Sequence, residues 1–215
     1  MSAKKPEEQR STGRPTVLTG ARKREAEEYL RKADRVMAKL VRKHGNCKIG
    51  SRAFQPFHAL TTAIISQQLS VKAAETIASR VAAHAPRPFE PLSMLAVASE
   101  SLRAAGLSGA KAKYIHGLAR LVADGSLDFL QIRKLHDEAA ISALTAVPGI
   151  GRWTAEMFLI FTLKRPDILS LGDAGLCRAV RVLYGADADM QRIGERWRPY
   201  RSVACWYLWQ HLDSG

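Results

Sequence analysis

A lone carboxylate, Asp173, follows the segment 167-DILSLG-172 and stands at the start of a stretch with helical apolar spacing. An Asp in that place serves as an ordinary helix N-cap. The positive end of the helix dipole also favours its negative charge. Such a charge suits stabilising a developing cation or orienting a water, and argues against general-acid work. Upstream lies 147-VPGIG-151, followed by Arg152, Trp153 and Thr154. Pro148 ends one helix, Gly149 and Gly151 can take backbone angles that strain other residues, and Thr154 can help start the next helix. The amides at that second N-terminus form a geometry able to hold a phosphate. The same residues also make an ordinary tight connection between two core helices, and basic Arg152 tilts the reading toward a phosphate clamp. Carbonyls at Thr145, Val147 and Ile150 could hold a structural Na+ or K+. The histidines show no metal-ligand spacing, so no metal or other cofactor is expected for catalysis.

The elements that must position these groups read as helices. Apolar residues from Ala26 to Val41 predict a helix over 24–43, and others are predicted at 56–66, from Ser70 through Val81, and over 109–125. Ser70 is a plausible N-cap. Further helices are predicted at 91–98, 102–106, 137–146, 154–163, 173–183, 190–197 and 201–212. The stretch 154-TAEMFLIFTL-163 is apolar enough to be a buried spine. Period-2 alternation is scarce, so the fold class is all-α. Residues 1–23 are polar, basic and broken by Pro and Gly, and read as a flexible arm. Residues 24–215 then form the folded domain.

The 215 residues carry 33 Lys and Arg against 20 Asp and Glu, a formal charge of +13, which favours a polyanionic partner. No run is long and apolar enough to suggest a membrane span. Cys47, Cys177 and Cys205 are widely spaced with no CxxC, as expected of reduced thiols inside a cell. The first residues lack an apolar signal core, so nothing marks the chain for secretion and an intracellular location is expected.

The segment LTAVPGIGRWTAEMFLIFTLKRPDILSLGDAGLCRAV resembles the helix-hairpin-helix plus Gly/Pro-Asp signature of base-excision DNA glycosylases, and most closely the DNA-3-methyladenine glycosylase II family. The segments 60-LTTAIISQQLSVKAA-74, 106-GLSGAKAKYIHGLA-119 and 195-ERWRPYRSVACWYLW-209 agree with that family in order, so the resemblance covers roughly 25–212. It implies a two-lobed all-helical fold around a central cleft, with the hairpin at about 141–163, in the compact form without an N-terminal β domain. The implied partner is double-stranded DNA containing alkylated bases, bound by a monomer that rotates the damaged nucleotide into a pocket.

The resemblance places Asp173 on the catalytic aspartate. Trp153, Met157 and Trp209 match positions lining the base pocket, where an indole would attract a cationic alkylpurine. Without the motif match, all three read as core residues. Gln68, with Gln67 beside it, falls where a side chain fills the gap left by the flipped base. Trp153 stands where bifunctional relatives carry a lysine nucleophile, and tryptophan forms no Schiff base. The expected activity is therefore monofunctional hydrolysis of the N-glycosidic bond of alkylated purines such as 3-methyladenine. The alternatives are a glycosylase for other damaged, deaminated or mismatched bases, and a DNA-lesion binder without catalysis.

Overall fold

The computed structural model describes residues 16–51 and 53–214. Among them the chain forms thirteen α-helices, one π-helical segment and one 3-10 turn, with no strand. The helices are α1 (Gly20–Ala33), α2 (Arg35–His44), α3 (Pro56–Ser66), α4 (Val71–Ala82), α5 (Pro91–Leu95), α6 (Ser99–Ala104) and α7 (Gly109–Ala123). After them come α8 (Phe129–Ile132), α9 (Asp137–Thr145), α10 (Arg152–Met157), α11 (Ala174–Tyr184), α12 (Met190–Gly194) and α13 (Arg201–Asp213). The π segment, Phe158–Thr162, continues α10, and the 3-10 turn, Glu195–Trp197, follows α12.

The single helix expected over 24–43 is two. Asp34 breaks it by turning its carboxylate onto the amides of Val36 (2.8 Å) and Met37 (3.1 Å), which caps α2 and ends α1. The same side chain is buried, and its other oxygen accepts from the Tyr184 hydroxyl (2.9 Å) and the Trp197 indole (3.3 Å). A buried carboxylate costs heavily unless paired, so this set of donors ties α2 to α11 and the 3-10 turn. Burial, then the Asp34 charge, pushes the Tyr184 phenol well above its ordinary range.

The expected arm also ends earlier than Lys23. Residues 1–15 lie outside the described residues. Leu18 is buried, with its amide on the Lys164 carbonyl at 2.8 Å, and Thr19 caps a helix that already includes Gly20–Lys23. The cap and the buried leucine are too short a signal to register against so polar a background.

Packing falls into two groups. In one, α1, α2, α11 and α13 pack on one another, and in the other α3 packs on α4 and α7, with α5 and α6 also against α7. The π segment touches α3, while α10 packs on α9. The residues that anchor these contacts include Leu30, Met37, Leu60, Ile64, Met94 and Tyr207, all fully buried. Each contributes roughly 1.5–3 kcal/mol through removal of apolar surface from water.

The predicted spine at 154–163 starts two residues earlier and changes character midway. The Leu163 amide reaches back five residues to the Phe158 carbonyl at 3.0 Å, the bonding of a π turn. Phe158, Leu159 and Ile160 are buried as expected. Phe161 is not, being 42% exposed. Arg165, itself buried, ends the run by donating to the carbonyls of Arg133 (3.0 Å) and Leu135 (2.7 Å).

Candidate active site

Asp173 is the N-cap of α11, and its Oδ1 accepts from the Leu176 amide at 2.7 Å. The capping role read from sequence is therefore real, and it is one part of a larger arrangement. Trp209 Nε1, from α13, donates to the same oxygen at 3.2 Å. Trp153 Nε1, from α10, donates to Oδ2 at 2.7 Å. Three N–H groups from three helices thus face one carboxylate that is only 8% exposed. Oδ2, with a single donor in this set, keeps a lone pair for another partner. Close behind, Gly175 is tightly packed: a Cβ there would stand 3.1 Å from Asp173 Oδ1 and 3.4 Å from Leu212, so these neighbours would have to give by a few tenths of an ångström.

The two indoles meet the carboxylate by their edges, which leaves their faces for stacking. Trp153 is 50% exposed, unusual for so large a ring in an otherwise packed helix. Trp209 is half-buried, and the Phe161 ring lies 5.7 Å from it, tilted by 36°. Met157, expected as the third wall, is half-buried against the core. The aromatic that joins Trp209 is Phe161, which sequence reasoning passed over. The spacing 153, 157, 161 was the available signal, because residues four apart share a helix face.

The hairpin is built as the glycines suggested at one position and differently at the other. Gly149 has φ +90°, and a Cβ there would come within 2.5 Å of the Tyr114 ring. Only glycine fits. Gly151 has φ −86° and open space where a Cβ would point, so neither its backbone nor its neighbours demand glycine. Thr154, expected to start the helix, is buried in its first turn, and Gly151 is the N-cap residue, with no side-chain cap.

Arg152, expected at a phosphate, is instead shared between two acids. Its terminal nitrogens form a fork on Glu138 (3.0 and 2.6 Å), and Nε donates to Glu156 at 3.0 Å. Planar guanidinium geometry favours such bidentate pairing, and here it staples α9 to α10. The pairing holds the Glu138 carboxyl below the usual carboxylate range. The Val147 carbonyl accepts the Ile150 amide at 3.1 Å, so a cation on the carbonyls of Thr145, Val147 and Ile150 would share that oxygen. Among the described residues no group of three or more His, Cys, Asp or Glu could hold a metal ion.

The basic run 192-RIGERWRPYR-201 is likewise partly neutralised. Arg201 forks onto Asp167 (2.8 and 3.0 Å), while Arg198 bridges Asp167 (3.0 Å) and Glu195 (2.7 Å). These pairs line a cavity of about 520 Å³ together with Glu138, Arg152 and Glu156. That cavity does not include Asp173. It is a charged groove, whereas the cluster around Asp173 presents the aromatic faces on which a flat ring can stack.

Gln67 and Gln68 separate clearly. Gln67 Nε2 donates to the Gly149 carbonyl at 2.8 Å, so this side chain belongs to the hairpin brace. Gln68 is exposed, with φ +58°, a left-handed conformation uncommon for a residue with a side chain. Leu69 beside it is also exposed. The loop is held from below by Lys111, whose ammonium donates to the carbonyls of Ile65 (2.8 Å) and Gln67 (2.7 Å). Burial pulls the Lys111 ammonium below the usual lysine range. Nothing in the sequence around Lys111 distinguished it from the other lysines.

Residues 61–199 match the family model described as HhH-GPD superfamily base excision DNA repair protein. DNA-3-methyladenine glycosylase 1 of Schizosaccharomyces pombe is 32% identical over 199 residues, with 86% of this chain and 86% of the relative covered. The alkylbase DNA glycosidase-like protein mag2 of the same yeast is 29% identical over 195 residues, covering 86% of this chain and 92% of the relative. Among solved structures, DNA-3-methyladenine glycosidase from Bacillus halodurans superposes with a TM-score of 0.76 at 38% identity, over 86% of this chain and 88% of that one.

Proposed function

The chain belongs to the HhH-GPD superfamily of base excision DNA repair proteins, within the DNA-3-methyladenine glycosylase II family, and from that footing we propose that it is a monofunctional DNA glycosylase for alkylated purines. The observation that carries the reading is the carboxylate of Asp173, aimed by two indole N–H groups beside exposed aromatic faces. Rotation of a damaged nucleotide out of the duplex would bring its base against Trp153, Trp209 and Phe161. A purine alkylated at N3 or N7 carries positive charge, which an indole face attracts. Such a base is already a good leaving group and needs little protonation. As the N-glycosidic bond loosens, positive charge develops on the deoxyribose, and Asp173 stabilises it and orients the attacking water.

The residue beside the carboxylate decides between hydrolysis and strand cleavage. Trp153 has no amine to attack the sugar, and its N–H is already spent on Asp173. Gln68, displayed at the loop tip, fills the volume left by the base. The amides that open α10 meet the phosphate, without help from Arg152 in its present pairing. Support for an alkylpurine substrate over oxidised or deaminated bases comes from the aromatic lining and from the names of the relatives.

The deciding experiment uses duplexes with one defined lesion each, namely 3-methyladenine, 7-methylguanine, ethenoadenine, hypoxanthine, uracil and 8-oxoguanine. Base release and strand scission are scored separately. Release of the methylated purines without scission is expected. Scission with a trapped covalent adduct, or release confined to uracil or 8-oxoguanine, would overturn the assignment.

A further inference from the structure

Glu156 is a buried carboxylate, 5% exposed, one turn into α10. Burying a charge demands partners. One oxygen is satisfied by Arg152 four residues earlier on the same helix. The other reaches out of the helix: Ser170 Oγ donates to Oε2 at 2.5 Å, a short charge-assisted bond. Ser170 is fully buried in the segment that delivers Asp173 to its helix. The Ser170 carbonyl in turn accepts the Asp173 amide at 3.1 Å.

The helix that carries Trp153 therefore holds Asp173 twice. Trp153 grips the carboxylate directly, and Glu156 grips the backbone through Ser170. Ile168, two residues before Ser170, is fixed independently by Ser202 on α13, whose hydroxyl accepts the Ile168 amide at 2.9 Å. Without the bond to Glu156, the short span from Ser170 to Asp173 would keep its helix cap and the Trp153 bond and lose its backbone tie to α10. We infer that Glu156, acting through Ser170, is a positioning residue that sets the distance of the Asp173 carboxylate from the sugar and links it to the hairpin stapled by Arg152.

This inference rests on the glycosylase reading above, so its test has one readout that needs no activity. Ser170→Ala, Glu156→Gln and the double variant are compared with wild type. The first readout is single-turnover release of 3-methyladenine and 7-methylguanine from methylated duplex DNA. The second is affinity for a duplex with an abasic-site analogue, and the third is the indole N–H resonances of Trp153 and Trp209 in ¹H–¹⁵N spectra.

A misplacement of the reacting group of about 1 Å costs on the order of 100-fold, so release is expected to slow by roughly 10- to 100-fold in each single variant. Affinity for the abasic analogue should hold, and the indole resonances should shift. The double variant should be no slower than the slower single, because both changes cut one link. Wild-type rates with unmoved indole signals would overturn the inference. So would losses that multiply in the double variant, or that merely track lost DNA affinity. If wild type releases no methylated purine, the functional reading fails, and the indole resonances alone still decide whether the link to Asp173 exists. Should Ser170→Ala not fold, Glu156→Gln, which keeps the side-chain volume, carries the same readouts.

Discussion

The indole N–H of Trp153 donates to Oδ2 of Asp173 at 2.7 Å, joining two residues twenty apart in the chain and on different helices. A ring expected as a pocket wall, standing where bifunctional relatives carry a lysine, also aims the carboxylate. Trp153→Phe keeps a ring and removes the donor. A hydrogen bond to a charged group is worth about 1.5–3 kcal/mol, so base release in single turnover should fall roughly 10- to 100-fold. Trp209→Phe, which removes the longer contact at 3.2 Å, should cost less.

Asp173→Asn retains the shape of the side chain and removes its charge. Base release is expected to become undetectable at enzyme excess, while a duplex with an abasic-site analogue still binds in an anisotropy titration. Full activity in this variant would exclude the electrostatic role.

Gly149 and Gly151 make opposite predictions. Gly149→Ala places a methyl against the Tyr114 ring at a positive φ, which should cost about 1–3 kcal/mol or more in a denaturant titration. Gly151→Ala meets nothing in the protein and should leave stability unchanged. Gly151 is the residue that opens α10, so if its amides meet a phosphate, the added methyl should lower DNA affinity.

DNA affinity as a whole should fall steeply with salt. Arg198→Ala and Arg201→Ala should nevertheless leave the salt slope almost unchanged, since Asp167 and Glu195 already hold both guanidinium groups. A residue that neutralised a phosphate would lower the slope by about 0.9 when removed. For Arg201 the loss should appear in stability, at about 1.5–3 kcal/mol, because its fork on Asp167 is largely buried.

His44 predicts sensitivity to mild acid. Burial, then Lys43 and His211, hold its imidazole below the ordinary value of 6.5. Its Nε2 is buried with no hydrogen-bond partner among the described residues. As pH falls below 6.5 the unfolded chain takes up the proton first, so this contribution is complete above 6.5 and is lost on acidification through the folded value. Thermal midpoints measured from pH 7.5 to 5.0 should decline in wild type and decline less in His44→Gln.

Helix periodicity exposed most of the architecture, because apolar spacing reports the core face directly: α3 and α9 begin where it places them. It could not report the break at Asp34, since the break depends on Tyr184 and Trp197, 150 and 163 residues away, making a buried carboxylate affordable. The family resemblance, carried by motifs in order along the chain, pointed to Asp173, Trp153 and Trp209, which three different elements bring onto one carboxylate. The partners of Arg152 were hidden for a related reason. Glu138 is fourteen residues upstream, and only the packing of α9 on α10 brings the two together. Phe161 escaped because the uninterrupted apolar run suggested burial on every side, whereas it lies on the 153, 157, 161 side that the helix leaves partly open. Lys111 escaped because its partners are backbone carbonyls, which carry no side-chain signature.

The uneven burial of the four tryptophans has an optical consequence. Trp197 and Trp206 are sealed in the interior, whereas Trp153 is half open to water and Trp209 stands beside it on the same carboxylate. A base stacked on Trp153 or Trp209 should quench or shift the emission of those two indoles, against a background from Trp197 and Trp206 that solvent does not reach. Trp153→Phe should remove most of that response, so the protein carries its own fluorescent probe of base arrival.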